Sequence, residues 1–206
     1  MKIKVCGMTD VLNLNGVIDC EPDYVGFIFY SESSRRVRNE QILFASTEKA
    51  QKIGVFVNEQ PDTLLAVSSI YDLHMVQLHG DESSAYCKEL KNNGLKIIKA
   101  FSVGDDFDLS LLAEYAPFVD YFLFDTKGKN RGGNGAKFNW SILDNYKLEV
   151  PFFLSGGITG KDVNEVRELS LSKLYGVDIN SGFEISPGIK DVKSVGRFIK
   201  NIKDNE

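Results

Sequence analysis

The chain has 206 residues, of which 43% are hydrophobic and 26% are charged, and its formal net charge is −5. This length suits one well-buried domain and is short for two, no Lys/Arg run suggests a nucleic-acid contact, and no apolar stretch reaches the roughly eighteen residues of a membrane span. The cysteines Cys6, Cys20 and Cys87 are odd in number and widely spaced, which argues against a disulfide framework or a zinc site and for a reducing compartment. We therefore expect a cytoplasmic protein with a single domain over residues 1–206 that binds neither nucleic acid nor membrane.

Short apolar segments alternate along the chain with polar turns and amphipathic stretches. Residue types that favour buried strands form eight runs, at 3–6, 24–29, 53–57, 75–78, 96–101, 121–124, 152–154 and 174–179. Apolar residues at helical spacing follow Pro61, Asp162 and Asp191. The segments 109–115 and 141–146 predict two shorter helices.

Strands that alternate with helices predict parallel strands joined by right-handed crossovers. Two architectures fit this pattern, an open doubly wound sheet and a closed (β/α)8 barrel. About eight units of roughly 25 residues match the small end of the barrel range, whereas an open sheet of that many strands would be large for this chain. The pattern favours the α/β class and a (β/α)8 TIM barrel, whose functional groups should lie at the carboxyl ends of the strands.

The alternation within each strand predicts which polar side chains face the mouth of the barrel. These side chains lie on the face opposite the bulkiest apolar residues, and they are Cys6 together with Lys4, Gln77 together with His79, Asp125, and Asp178. We expect them to converge on one opening.

Cys6 and Asp125 are the candidate proton carriers. A cysteine is most often a small packing residue, but the strand-end position of Cys6 and the glycine after it favour a working thiolate that acts as a base or a nucleophile. An aspartate at a strand end often opens a loop or caps a turn. The apolar strand before Asp125 also suits a carboxyl group that keeps its proton and acts as an acid.

Glycine-containing loops follow the seventh and eighth strands. Gly156 and Gly157 lie in the first of these loops, and Ser181 and Gly182 lie in the second. In this fold, loops at these places frequently hold a phosphate group on bare backbone N–H groups, although a glycine pair alone also serves an ordinary turn. Two such loops in succession favour a phosphorylated small molecule as the ligand.

Three other features have both a functional and an ordinary interpretation. Residues 127–135 are rich in glycine and predict either a lid that excludes water or a surface loop. Arg35 and Arg36 follow the second strand, where an arginine suits a ligand carboxylate or phosphate, or an exposed basic turn. His74 and His79 lack an accompanying carboxylate or cysteine pattern, so we expect no metal.

In this order and register, the segments at the strand ends resemble the phosphoribosylanthranilate isomerase family. They are KVCGMT at 4–9, GFIF at 26–29, SR at 34–35, GVFVN at 54–58, VQLHGDE at 76–82, FDT at 124–126, GGNG at 132–135, FNW at 138–140, LSGG at 154–157, GVDINSGFE at 176–184 and PGIKD at 187–191. The resemblance runs from the first strand to the last helix.

The resemblance implies an Amadori rearrangement without cofactor or metal in tryptophan biosynthesis. The substrate would be N-(5-phosphoribosyl)anthranilate and the product 1-(2-carboxyphenylamino)-1-deoxyribulose 5-phosphate. By the same resemblance, Cys6 matches the general base, Asp125 the general acid, and Arg35 the residue that holds the anthranilate carboxylate. Asp178 would lie near the substrate, and the phosphate would bind at Gly156, Gly157, Ser181 and Gly182.

Four residues depart from the family pattern, and two other functions compete with the isomerase. The departures affect loop geometry and phosphate contacts, and they are Ser34, Asn134, Asn139 and Asn180. A sugar-phosphate epimerase would need a metal cluster and an indole-glycerol-phosphate synthase a Lys/Glu set, and neither pattern occurs in a matching context. A catalytically inactive barrel that only binds a phosphorylated metabolite would be favoured if Cys6 or Asp125 were missing, and both are present. These motifs predict no oligomeric state.

Overall fold

In the computed structural model, which describes residues 1–126 and 137–204, eight parallel strands pair in chain order and close into a barrel. The strands are β1 (Lys2–Val5), β2 (Tyr24–Ile28), β3 (Gln51–Phe56), β4 (Met75–Leu78), β5 (Ile97–Val103), β6 (Tyr121–Thr126), β7 (Phe152–Leu154) and β8 (Leu174–Ile179). The barrel closes where β1 pairs with β8, with Lys4 opposite Asp178. The predicted (β/α)8 barrel is confirmed, and the open sheet is excluded. The predicted lid at 127–135 lies outside the described residues.

The helices that pack around the barrel are of two kinds. The α-helices are α1 (Val11–Ile18), α2 (Pro61–Ile70), α3 (Ser84–Asn92), α4 (Val163–Glu168) and α5 (Val192–Lys203). The helices predicted after Pro61, Asp162 and Asp191 are thus confirmed. Shorter 3-10 helices span Glu40–Phe44, Leu109–Glu114, Ala116–Phe118, Trp140–Asn145, Gly160–Asp162 and Ser181–Phe183.

The two shorter helices that the sequence predicts, at 109–115 and 141–146, are therefore 3-10 rather than α-helical. Each begins with an Asx turn, because the side chains of Asp108 and Asn139 accept hydrogen bonds from N–H groups two residues further on, at 2.9 and 3.1 Å. Such local bonds compete with the α-helical pattern and favour the tighter turn.

A small antiparallel hairpin follows β8, and the sequence pattern does not predict it. Its strands are β9 (Glu184–Ser186) and β10 (Ile189–Lys190). Asn13 at the start of α1 holds the hairpin by bonding both the N–H and the carbonyl of Lys190, at 2.8 and 2.9 Å. The hairpin brings Glu184 and Lys190 towards the barrel mouth.

The interior of the barrel changes character from floor to mouth. Apolar and aromatic side chains fill the floor, and they are Tyr24, Ile53, Met75, Ile98, Ala100, Leu123 and Phe153. Phe122 and Phe124 belong instead to the larger core between the strands and the helices, as the alternation along β6 predicts.

No helix in the described part of the chain is long and apolar enough to cross a membrane. The cytoplasmic location and the single domain over 1–206 stay predictions.

Candidate active site

A cavity of about 710 Å³, counting its open mouth, lies at the carboxyl ends of the barrel strands. Apolar side chains of β2 and β3, among them Ile28 and Val55, form one part of its wall. Seven of the eight site residues that the sequence predicts line it, namely Cys6, Asp125, Gly156, Gly157, Asp178, Ser181 and Gly182. Arg35 does not line it.

Cys6 follows β1 and lies beside a buried ion pair. The ammonium group of Lys4 donates to Oδ2 of Asp178 at 2.9 Å, and these side chains are only 0% and 5% exposed. Burial raises the pKa of the Cys6 thiol, and the positive charge of Lys4 opposes part of this effect. Burial also raises the pKa of Asp178, again against Lys4. For Lys4 itself burial acts to lower the pKa, but the interaction with Asp178 and Cys6 outweighs it and raises the pKa.

The other oxygen of Asp178 has no partner among the described residues. Within residues 1–126 and 137–204, Oδ1 of Asp178 is buried and has no hydrogen-bond partner. A buried polar atom without a partner is costly, about 1–3 kcal/mol, so such atoms are rare in folded proteins. Because Asp178 lines the cavity, a donor on a bound ligand would satisfy this oxygen.

Asp125 lies near the carboxyl end of β6 and lines the same cavity. Its Oδ1 accepts the N–H of Thr126 at 2.8 Å, and its Oδ2 lies 3.3 Å from Nε2 of His79. On the other side of the ring, Nδ1 of His79 lies 2.8 Å from Nε2 of Gln77. An amide that donates to Nδ1 leaves the proton of a neutral imidazole on Nε2, where it faces Asp125. Gln77 and His79 thus hold the Asp125 carboxyl group in one orientation, a role that the sequence pattern does not reveal.

The β7 loop passes close to Asp125 and lines the cavity. Gly156 and Gly157 have φ angles of +90° and +68°, a left-handed region that favours glycine. A Cβ atom on Gly156 would lie 2.8 Å from Oδ1 of Asp125 and would collide with Thr126. In the described part of the chain, the N–H groups of these two glycines donate to no protein group, so they are available to an anion.

The loop after β8 packs against the β7 loop. A Cβ atom on Gly182 would collide with the carbonyl oxygen of Ile158, so the close approach of the two loops requires glycine at this position. Ser181 begins a short 3-10 helix beside it. The two glycine-containing loops therefore form one continuous rim of the cavity.

Arg35 contacts Glu184, a residue for which the sequence pattern predicts no role. Its Nε contacts both carboxylate oxygens of Glu184 at 2.9 Å, and its Nη2 contacts Oε2 at 2.7 Å. The buried ammonium of Lys190 contacts Oε1 of Glu184 at 2.7 Å and Oδ1 of Asn180 at 2.6 Å. Burial favours the neutral form of Glu184, but Arg35 and Lys190 outweigh it and lower the pKa of this carboxyl group.

Metal ligands do not gather at this mouth. Across residues 1–126 and 137–204, no group of three or more His, Cys, Asp or Glu side chains is placed to hold a metal ion. The polar residues that line the cavity instead include the two candidate proton carriers, the Gln77–His79 pair, Asp178 of the buried ion pair, and the residues of the two glycine-containing loops.

Comparisons with known proteins agree with this arrangement. The family model described as N-(5'phosphoribosyl)anthranilate (PRA) isomerase matches residues 3–201. The N-(5'-phosphoribosyl)anthranilate isomerase of Parabacteroides distasonis is 42% identical, over 98% of this chain and 93% of that protein. The crystal structure of phosphoribosyl anthranilate isomerase from Thermotoga maritima has a TM-score of 0.86 and 32% identity, and the match covers 99% of each chain. A structure of such an isomerase in complex with reduced 1-(o-carboxyphenylamino)-1-deoxyribulose 5-phosphate has a TM-score of 0.82 and 31% identity, also over 99% of each chain.

Proposed function

Because the chain belongs to the N-(5'-phosphoribosyl)anthranilate isomerase family, we propose that it converts N-(5-phosphoribosyl)anthranilate to 1-(2-carboxyphenylamino)-1-deoxyribulose 5-phosphate in tryptophan biosynthesis. The observation that carries the proposal is the presence of a thiol and a carboxyl group in one cavity, from β1 and β6. Two strands, β7 and β8, separate them on the shorter way round the barrel. An acid and a base so separated can reach different atoms of one bound substrate.

Asp125 acts first in this proposal, as the general acid. The protonated carboxyl group donates its proton to the ring oxygen of the furanose, and the ring opens to give an iminium ion. The carboxylate that remains is stabilised by the Thr126 N–H and by Nε2–H of His79, which already face its two oxygens. These two donors also fix the direction in which the proton leaves.

Cys6 acts second, as the general base. The iminium ion acidifies the hydrogen on C2′ of the sugar, and the Cys6 thiolate removes it to give an enolamine that tautomerises to the ketone. The reaction moves protons within one molecule and transfers no electrons to or from an external group. The proposed mechanism therefore assigns both proton transfers with the enzyme, to the ring oxygen and from C2′, to side chains of this chain, and it routes no step through a cofactor.

Remote groups of the substrate supply the binding that orients it. The phosphate would bind the backbone N–H groups of the rim at Gly156, Gly157, Ser181 and Gly182. A sugar hydroxyl would donate to the unpaired Oδ1 of Asp178. Glu184 occupies Nε and Nη2 of Arg35, whereas Nη1 makes no hydrogen bond within the described residues. The anthranilate carboxylate would bind Arg35 through this Nη1 group. Contacts at both ends of the substrate hold its reacting atoms between acid and base.

The test is turnover of freshly generated substrate, followed by the loss of anthranilate-type fluorescence. We expect Cys6→Ala and Asp125→Asn each to slow the reaction by about 10²–10⁴-fold, the range for loss of a general acid or base. Cys20→Ser is the matched control. Cys20 follows α1, its thiol donates to the carbonyl oxygen of Gly16, and it does not line the cavity. Activity that survives both substitutions would overturn the acid and base assignment. A wild-type protein without activity on this substrate would overturn the proposed function.

A further inference from the structure

Lys4 is a buried cation at the mouth of the barrel that the proposed reaction does not use. Within residues 1–126 and 137–204, Oδ2 of Asp178 is the one oxygen that its ammonium group contacts. Lys99, a second buried lysine in the barrel, differs because its ammonium group contacts Glu82 at 3.0 Å and the carbonyl oxygens of Gly80 and Ala100 at 2.8 and 3.1 Å. The hydrogen-bonding capacity of Lys99 is thus filled, whereas that of Lys4 is not.

The Lys4 ammonium group and the sulfur of Cys6 lie close together, next to Gly26. Both side chains project from the same face of β1, two residues apart. Gly26 of the neighbouring β2 lies against this pair, and its carbonyl accepts the N–H of Gly7 at 2.9 Å. A Cβ atom on Gly26 would lie 2.7 Å from Sγ of Cys6 and 3.2 Å from Nζ of Lys4. Glycine at this strand position therefore leaves the space into which the thiol and the ammonium group both extend.

We propose that Lys4 is a positioning residue for Cys6, whose ammonium group stabilises the thiolate while Asp178 holds the ammonium group in place and limits the charge that the sulfur experiences. This inference rests on the proposed role of Cys6 as the base and names the group that makes a buried thiol able to ionise. A thiolate without such a partner would be a costly isolated charge in the interior.

The charges that face Cys6 come from three elements and act in opposite directions. Lys4 on β1 and Lys190 on β10 favour the thiolate, whereas Asp178 on β8 and burial itself oppose it. Lys190 already contacts Glu184 and Asn180, so its ammonium group has close partners of its own besides the sulfur. The arrangement predicts effects of opposite sign for the two members of the Lys4–Asp178 pair, which a purely structural role would not produce.

The experiment measures the rate at which iodoacetamide alkylates Cys6 in the folded full-length chain as a function of pH, with the modified cysteine identified by mass spectrometry. At neutral pH we expect Lys4→Met to slow alkylation by roughly tenfold or more, because an opposite charge within about 4–6 Å shifts such an equilibrium by at least that factor. We expect Asp178→Asn to accelerate it. In turnover, Lys4→Met should move the rising limb of the kcat/KM profile to higher pH.

Lys4→Met leaves Asp178 buried and unpaired, so a neutral pair provides the second test. The double variant Lys4→Met/Asp178→Asn should react more slowly at Cys6 than Asp178→Asn alone. The matched control is Lys99→Met/Glu82→Gln, which neutralises the other buried pair and should leave the Cys6 rate unchanged.

The outcomes separate this inference from the proposed function. An unchanged or faster Cys6 reaction in Lys4→Met, or a slower one in Asp178→Asn, overturns the role of Lys4 whatever the turnover assays show. A Cys6→Ala protein that remains active overturns the proposed base while the alkylation rates still report on the thiol.

Discussion

Replacing Gly156 by alanine tests how tightly the β7 loop is fitted around Asp125. Gly156 has a φ of +90°, and a Cβ atom there would collide with Thr126 and lie 2.8 Å from Oδ1 of Asp125. Gly94, which follows α3, has a nearly equal φ of +84°, yet a Cβ atom there would have no heavy atom within 4 Å. The two alanine variants therefore share the backbone strain, and only one of them adds a collision.

The structure allows the two contributions to be separated in free energy. An alanine held in the left-handed region costs about 1–2 kcal/mol, and this applies to both positions. Forcing an extra carbon atom into packed surroundings costs about 1–3 kcal/mol more, and this applies only to Gly156. The gain from restricting the unfolded chain is common to both variants and cancels in the comparison. We expect Gly156→Ala to lower the free energy of unfolding by about 1–3 kcal/mol more than Gly94→Ala does.

Urea denaturation followed by circular dichroism measures both values, and the fluorescence assay measures the consequence for turnover. Gly156→Ala should also lose most of its activity, because the loop can accept the methyl group only by displacing Thr126 or the Asp125 carboxyl group. Gly94→Ala should keep its activity, since Gly94 does not line the cavity. Equal destabilisation by the two substitutions, or full activity in Gly156→Ala, would refute the reasoning.

Two further substitutions test the buried ion pairs. Because Arg35 and Lys190 lower the pKa of Glu184 below its ordinary value of 4.5, the ionised carboxylate stabilises the fold above that pH, and the contribution is lost as the pH falls through the lowered pKa. The difference in unfolding free energy between wild type and Glu184→Gln should therefore be largest at neutral pH and shrink in acid. In turnover, KM should rise more than kcat falls. A difference in unfolding free energy that is constant with pH would contradict this. Lys99→Met should cost about 3–5 kcal/mol in urea denaturation, because Glu82 is left buried without its cation, and adding Glu82→Gln should restore part of that loss. A double variant no more stable than Lys99→Met would argue against this pairing.

The fold could be predicted from the sequence to the extent that local periodicity determines it. Alternation in β1 and β6 is a property of neighbouring residues, so it correctly predicts that Cys6 and Asp125 face the mouth. The helix type after β5 depends on whether the Asp108 side chain bonds the backbone two residues on, and apolar spacing does not contain that information. The β9–β10 hairpin is held by tertiary contacts from Asn13, which no local pattern shows.

The pairing of charges in the site lies beyond such reasoning. Glu184 is 149 residues from Arg35 in the chain, and Asp178 is 174 residues from Lys4. The strand pattern indicates that Lys4 shares a face with Cys6, but only closure of the barrel brings β8 against β1 and gives Lys4 a carboxylate partner. A family resemblance points to single residues at the mouth, whereas the structure adds the partners that fix their orientation and charge.

The two buried lysine–carboxylate pairs of the barrel differ in whether all their hydrogen-bonding groups have partners, and this difference distinguishes a structural pair from one that can take part in the reaction. In the Lys99–Glu82 pair both ends are filled, because Glu82 also accepts the N–H groups of Asn58 and Gly80 at 2.8 to 3.1 Å, and such a pair fixes the loop after β4. In the Lys4–Asp178 pair one carboxylate oxygen has no partner in the described residues, and the ammonium group lies close to a thiol. An incomplete buried pair is destabilising on its own. It is therefore expected where a ligand completes it, and Asp178 lines the cavity in which we propose that the substrate binds.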